Sequence, residues 1–195
     1  GKRVIDDPDF YYVHQVLTQK KGNPLSFAVI YLVLMNQIGI QGEVIAVANN
    51  YFIRILDLPG PIYVEPFEHG KLMTPHEFQL KFQSQMKKNQ LLNSQLFEVL
   101  NPSQLMVRFL QQLKNIYVLK GEALLALRTV DLLSTMLPDS PELARDRGIL
   151  YCEMEYFSKA IEDLNIYLKL RPKADDISEI KKLASMLKGY REVIN

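Results

Sequence analysis

The stretch KKGNPLSFAVIYLVLMNQIGI, Lys20 to Ile40, is the most apolar run of the chain and decides the fold of its first half. Asn23 is a good helix N-cap, and Pro24 fits the first turn of a helix, where a missing N–H costs nothing. Gly39 supplies a left-handed stop. A helix that is apolar on every side is enclosed by its neighbours. The stretch therefore predicts a buried central helix with one hydroxyl, that of Ser26, in its first turn.

Strand patterns follow this helix. The segment EVIAVANNYFIRILDL, residues 43–58, is rich in β-branched and aromatic residues on both sides of Asn49 and Asn50, and Asn tolerates the positive φ of a tight turn. A Pro-Gly-Pro break precedes a third short strand at 62–67, and Thr74 with Pro75 begins another helix. We therefore predict an α+β domain over residues 1–100, with a small antiparallel sheet.

Residues 101–195 are helical in pattern and repeat with a period of 34 residues, which is typical of tetratricopeptide repeats. The residues that match at this offset are Tyr117 with Tyr151, Ala126 with Ala160, and Pro138 with Pro172. Gly148 provides a small residue where two helices cross closely, whereas the first copy has Lys114 there. The predicted helices are 102–120, 122–137, 141–153, 156–170 and 176–193, and they form an all-α repeat domain.

Charge and composition exclude several classes of function. The net charge is +1, with 23 basic and 22 acidic residues interspersed, which gives no electrostatic case for nucleic acid or an anionic membrane. The longest apolar run is too short to span a bilayer. Cys152 is the single cysteine, so no internal disulfide is possible. We therefore expect a cytoplasmic protein without a membrane segment.

Four segments in order resemble the bacterial SirB-type family, in which a transglutaminase-like (papain-like) domain precedes tetratricopeptide repeats. They are DDPDFYYVHQVLTQKKGNPLSFAVIYLVLMNQIGI at 6–40, ANNYFIRI at 48–55, YVEPFEHGKLMTPHEF at 63–78 and ARDRGILYCEMEYFSKAIEDLNIYLKLRP at 144–172. The family carries a further helical region before the first segment. The resemblance therefore implies that the transglutaminase-like domain is truncated at its N-terminus.

The resemblance also implies where a catalytic site would lie. The cysteine, histidine and aspartate positions of a transglutaminase correspond to Ser26, Asn50 and Glu65. Asn50 has no titratable group and cannot take a proton from a nucleophile. We therefore expect a degenerate site without catalysis, and the alternative is a hydrolase or acyl transferase in which Ser26 uses an unidentified base. His69 and His76 fit no familiar zinc spacing, so we expect neither a metal nor a cofactor.

The repeats provide the binding candidates. Arg145, Asp146 and Arg147 place two arginines around an acidic residue on a helix that otherwise needs apolar positions. They form ion pairs with the first domain, or they hold a carboxylate or phosphate by a two-pronged contact. Tyr117 and Tyr151 are the aromatic candidates beside them. Because repeat arrays commonly offer a groove to a peptide, we expect a protein or peptide partner and a regulatory role.

Overall fold

The computed structural model describes residues 7–47, 50–83 and 97–194. The chain divides into two compact units, Gly1–Phe109 and Leu110–Asn195. This division lies within the helix that starts at Pro102, and it comes later in the chain than the boundary at residue 100 that the sequence suggests. None of the described helices combines the length and apolarity that a bilayer crossing requires.

The first unit is an α+β domain, as predicted. Its helices and strands in chain order are α1 Val13–Gln19, α2 Pro24–Gln37, β1 Gly42–Val47, β2 Asn50–Ile55, β3 Ile62–Glu65, β4 Lys71–Met73, α3 Pro75–Gln83 and β5 Glu98–Leu100. The five strands form an antiparallel sheet in the order β4-β3-β2-β1-β5. The two three-residue strands, β4 and β5, are additions to the predicted strands.

The start and stop of α2 agree with the sequence signals. The Ser26 N–H donates to the Oδ1 of Asn23 at 2.9 Å, which satisfies one of the free N–H groups of the first turn. Gly39 has a φ of 79°, as a left-handed stop requires. The helix is less enclosed than its apolar sequence predicts, because Val33 is 49% and Leu34 is 51% exposed. Its buried side faces the sheet.

The sheet is covered on both faces, by α2 on one and by α3 on the other. The residues that pack with α2 include Val44, Ala46, Tyr51, Ile53 and Val64. The residues that pack with α3 include Ile45, Val47, Phe52, Tyr63 and Met73. The two sets alternate along each strand, as the pleat of a sheet demands. The register pairs Val44 with Ile53 and Ile45 with Phe52, so each pair belongs to a single face.

The second unit is entirely helical. Its elements are the C-terminal part of α4 Pro102–Leu119, followed by α5 Ala123–Met136, α6 Pro141–Glu153, α7 Phe157–Leu170 and α8 Ile177–Ile194. A Cβ at Gly148 would lie 2.9 Å from Leu164 Cδ2 and 3.2 Å from the carbonyl oxygen of Ala160. The close crossing of α6 and α7 predicted from Gly148 is therefore confirmed.

The turns between paired helices differ in the free-energy cost of the positive φ that one residue in each turn adopts. Gly121 lies between α4 and α5 with a φ of 72°, and Glu155, at the equivalent place after α6, has a φ of 63°. A side chain in this conformation costs about 1 kcal/mol that glycine avoids. We expect Glu155→Gly to raise the free energy of unfolding by about that amount in urea denaturation. Gly121→Ala should lower it similarly, and a destabilised Glu155→Gly variant would contradict the argument.

Candidate functional site

Ser26 occupies the start of the central helix and is buried, with 1% of its surface exposed. Its hydroxyl donates to the carbonyl oxygen of Phe10 at 2.5 Å. The Nδ2 of Asn23 donates to the same oxygen at 3.0 Å. A backbone carbonyl is an acceptor but not a general base, so this contact holds the hydroxyl without activating it. The three groups form a clamp between the chain before α1 and the first turn of α2.

Asn50 is exposed and lies next to the turn of the β1–β2 hairpin. It is the first residue of β2 and is opposite Val47 in the register. The neighbouring turn residue, Asn49, is outside the described residues. Because side chains alternate along a strand, Asn50 belongs to the same face as Phe52, which is the face covered by α3.

Glu65 is buried and pairs with Lys81 of α3. The Nζ of Lys81 lies 5.6 Å from the centroid of the Phe52 ring, so the ion pair is on the α3 face of the sheet. Arg54, the nearest base on β2 in the sequence pattern, instead pairs across the strands with Glu43.

The three triad positions therefore do not converge. Ser26 belongs to the helix on one face of the sheet, whereas Asn50 and Glu65 belong to the other face. The described residues contain no group of three or more His, Cys, Asp or Glu side chains arranged to hold a metal ion. The hydrogen bonds of Asn23 and Ser26 fix the start of α2, and the Glu65–Lys81 pair ties α3 to β3.

We expect Ser26→Ala to lower the free energy of unfolding by about 1 kcal/mol, because it removes one buried hydrogen bond while Asn23 still satisfies the Phe10 carbonyl. Ser185→Ala, at an exposed position within α8, is the control and should have no unfavourable effect. Urea denaturation measures both. A fluorophosphonate probe that labels the wild type but not Ser26→Ala would contradict this purely structural role.

Arg147 makes a two-pronged contact with Asp163 of α7. Its Nε and Nη2 atoms donate to the two carboxylate oxygens, each at 2.7 Å. Asp163 is only 5% exposed, so this carboxylate depends on the guanidinium for charge balance. Hydrogen bonding to Asp163 is the main reason that the pKa of Arg147 is raised. A second carboxylate, that of Asp131 on α5, lies 3.8 Å from its Nη1.

Arg145 is held by two further carboxylates. Its Nε and Nη2 donate to Asp146 at 3.1 and 2.9 Å, and its Nη1 donates to Asp176 at 2.8 Å. Desolvation lowers the pKa of Arg145, but the hydrogen bonds to Asp146 and Asp176 outweigh it and the net shift is upward. Tyr167 also donates to Asp176, at 2.5 Å, and this bond is the main reason that the pKa of Asp176 is lowered. Lys114 of α4 pairs with the other oxygen of Asp146.

These ion pairs join helices of the second unit to one another. Among the described residues, the carboxylate and ammonium partners of the segment 145–147 belong to the repeat unit, so the pairing with the first domain that the sequence suggested is not found there. Both guanidinium groups already bind internal carboxylates. The alternative, a two-pronged contact with an external carboxylate or phosphate, would have to displace one of them.

The two predicted tyrosines differ in accessibility. Tyr117 is 5% exposed, so its ring lies in the interior of the repeat unit. Tyr151 is half-buried and packs against Tyr156, with 6.2 Å between ring centroids. The Nζ of Lys159 lies 5.4 Å from the Tyr151 ring. Both tyrosines therefore have packing roles. A shared packing role explains why they match at the 34-residue offset.

A groove that the sequence did not reveal lies between α4 and α6. It holds a pocket of about 240 Å³. We call it the α4–α6 groove, and its lining residues are Lys114, Asn115, Val118, Arg145, Asp146, Ile149, Leu150 and Glu153. Arg145, Ile149 and Glu153 lie four residues apart on one face of α6. This spacing is the sequence feature from which the groove could have been predicted. A larger cleft of about 730 Å³ lies near the end of α7, where Glu142 pairs with Arg171.

Comparison with known proteins agrees with this division. Residues 1–111 match the model of the transglutaminase-like superfamily, and residues 113–185 match a tetratricopeptide repeat model. No solved structure matches the chain.

Bacterial and animal proteins are similar over most of the chain. A UPF0162 protein of Xylella fastidiosa is 27% identical over 90% of this chain and 63% of its own length. Protein SirB1 of Salmonella typhimurium is 24% identical over 95% of this chain and 69% of its own length. F-box only protein 21 of Mus musculus is 27% identical over 72% of this chain, which corresponds to 23% of that protein.

The chain thus spans less than two thirds of the Xylella relative. The order of the two matched domains, and the similarity to SirB1 along nearly the whole chain, agree with the order of units in the fold. The chain therefore belongs to the SirB-type family of the transglutaminase-like superfamily, in which a transglutaminase-like domain precedes tetratricopeptide repeats.

Proposed function

We propose that this chain is a non-catalytic interaction protein whose repeat unit binds a segment of another protein. The observation that carries the proposal is the α4–α6 groove, which presents a pocket with both apolar and charged side chains between two helices. Tetratricopeptide repeats generally mediate contacts between proteins, and extended concave surfaces are the form in which repeat arrays bind partners.

The size of the pocket favours a protein segment over a metabolite. At about 240 Å³ it is smaller than the roughly 300–1,000 Å³ typical of small-molecule sites. It suits one anchoring side chain of a longer ligand. Its apolar lining includes Val118, which is 47% exposed, and Leu150, which is buried beneath the groove.

The transglutaminase-like unit supports the non-catalytic part of the proposal. Acyl transfer needs a nucleophile within reach of a base. Here the Ser26 hydroxyl donates to a carbonyl, Asn50 has no base to offer, and Glu65 is occupied by Lys81. We assign the protein a regulatory role in the bacterial cytoplasm. The free thiol of Cys152 and the bacterial relatives support that location.

The test is affinity capture from a lysate of the source cells with three immobilised chains: wild type, Val118→Asp and Leu132→Asp. Val118 lines the groove, whereas Leu132 lies outside it on α5 and is similarly exposed, at 55% against 47% for Val118. We expect the wild type and Leu132→Asp to retain the same protein and Val118→Asp to lose it. Circular dichroism confirms that each variant is folded. Equal retention by all three chains would contradict binding in the groove.

A further inference from the structure

The charges that line the α4–α6 groove are unevenly satisfied. Its two cations, Lys114 and Arg145, both contact Asp146, and Arg145 also binds Asp176. Glu153 is exposed and has no ion-pair partner among the described residues. The groove therefore offers one uncompensated negative charge and no uncompensated positive one.

The position of Glu153 in its helix adds to this negative character. It is the last residue of α6, where the free backbone carbonyl groups carry a partial negative charge. A carboxylate at this end of a helix is repelled by the helix dipole. Glutamate at this position therefore does not stabilise α6. A cation bound in the groove, by contrast, would be attracted by both the carboxylate and the C-terminal end of the helix.

An apolar patch lies next to this carboxylate. Ile149 and Leu150 precede Glu153 by four and three residues, so all three are on neighbouring parts of one helix face. Val118 lines the groove from α4. Residues at this spacing have Cβ atoms roughly 5–6 Å apart, which one flexible basic side chain can span from a neighbouring anchor.

We propose that the α4–α6 groove binds an extended segment in which an aliphatic side chain is adjacent to a lysine or arginine. The aliphatic side chain enters the pocket over Ile149 and Leu150, and the basic side chain pairs with Glu153. This inference rests on the proposed function, and it specifies the chemistry of the partner. An acidic segment is disfavoured because its charge would meet Glu153, while Lys114 and Arg145 are already paired.

The test begins with a library of short random peptides displayed on phage and selected on the full chain. Peptides that also bind Val118→Asp are removed, so that those retained depend on the groove. We expect a consensus with Lys or Arg beside an aliphatic residue. The dissociation constant of the consensus peptide, measured by fluorescence anisotropy, should rise about three- to fivefold for Glu153→Gln.

Charge reversal provides the sharper comparison. Glu153→Lys should weaken the basic consensus peptide further and improve binding of its Glu-substituted counterpart, while Glu162→Lys, at an exposed position on α7, makes the same change of charge outside the groove and should leave both unchanged. Groove-dependent peptides without a basic residue, or insensitivity to Glu153→Gln, would overturn this inference and leave the proposed function standing. If no peptide is lost on Val118→Asp, both are overturned.

Discussion

Replacing Arg147 by Met is expected to lower the free energy of unfolding by about 3 kcal/mol, which would make it one of the two most damaging substitutions considered. The change leaves the carboxylate of Asp163, which is 5% exposed, without the guanidinium that both its oxygens accept from. Breaking a buried pair from one side costs about 3–5 kcal/mol, and the lower end applies because Arg147 itself is half-buried. Urea denaturation followed by far-ultraviolet circular dichroism measures the loss.

Two further variants separate loss of the pair from loss of the side chain. In Arg147→Met with Asp163→Leu, most of the stability should return, because no buried charge remains. Arg171→Met is the matched control, since the Arg171–Glu142 pair is about half exposed and should contribute less than about 1 kcal/mol. If Arg147→Met is no more damaging than Arg171→Met, the ion pair with Asp163 does not stabilise the repeats.

Gly70→Ala is expected to destabilise the first unit by about 3 kcal/mol. Gly70 has a φ of 72°, which costs an alanine about 1–2 kcal/mol. A Cβ there would also overlap the hydroxyl of Tyr31 on α2 and lie 3.1 Å from its Cζ, and overpacking of this kind typically costs about 1–3 kcal/mol. The same urea denaturation experiment gives the change.

Gly39 and Tyr31 provide the controls for this prediction. Gly39→Ala meets the same backbone restriction, with a φ of 79°, but has no atom within 4 Å of its Cβ, so it should cost only about 1–2 kcal/mol. Tyr31→Phe removes the overlapping hydroxyl and should recover about 1 kcal/mol in the Gly70→Ala background. Equal effects of the two glycine substitutions would show that contact with Tyr31 is unimportant.

Much of the fold could be predicted because its signals are local. Asn23 and Gly39 mark the ends of α2 through the backbone conformations that they favour, and both have those roles in the structure. The 34-residue period located the helices of the repeat unit, since matches such as Ala126 with Ala160, both fully buried, reflect equivalent packing positions. The strands β4 and β5 escaped detection because three residues are too few to show alternation.

The candidate site could not be predicted to the same depth, because its geometry depends on long-range pairing. The order of Ser26, Asn50 and Glu65 along the chain matches a catalytic arrangement, but their convergence depends on which sheet face each occupies. Alternation places Asn50 and Phe52 together, yet the sequence does not reveal that α3 covers that face. The Arg147–Asp163 pair likewise depends on how α6 and α7 align.

The clamp at the Phe10 carbonyl has a practical consequence for dissecting this protein. Asn23 and Ser26 are nearly fully buried, and each donates a hydrogen bond to a residue more than a dozen positions earlier in the chain. Deleting residues 7–12 would remove the acceptor of both hydrogen bonds together with the backbone that covers their donors, at a cost of about 0.5–1.5 kcal/mol for each bond. Any shortened version for expression or crystallisation should therefore retain residues 7–12. A protease that cuts within this segment should release the start of the central helix.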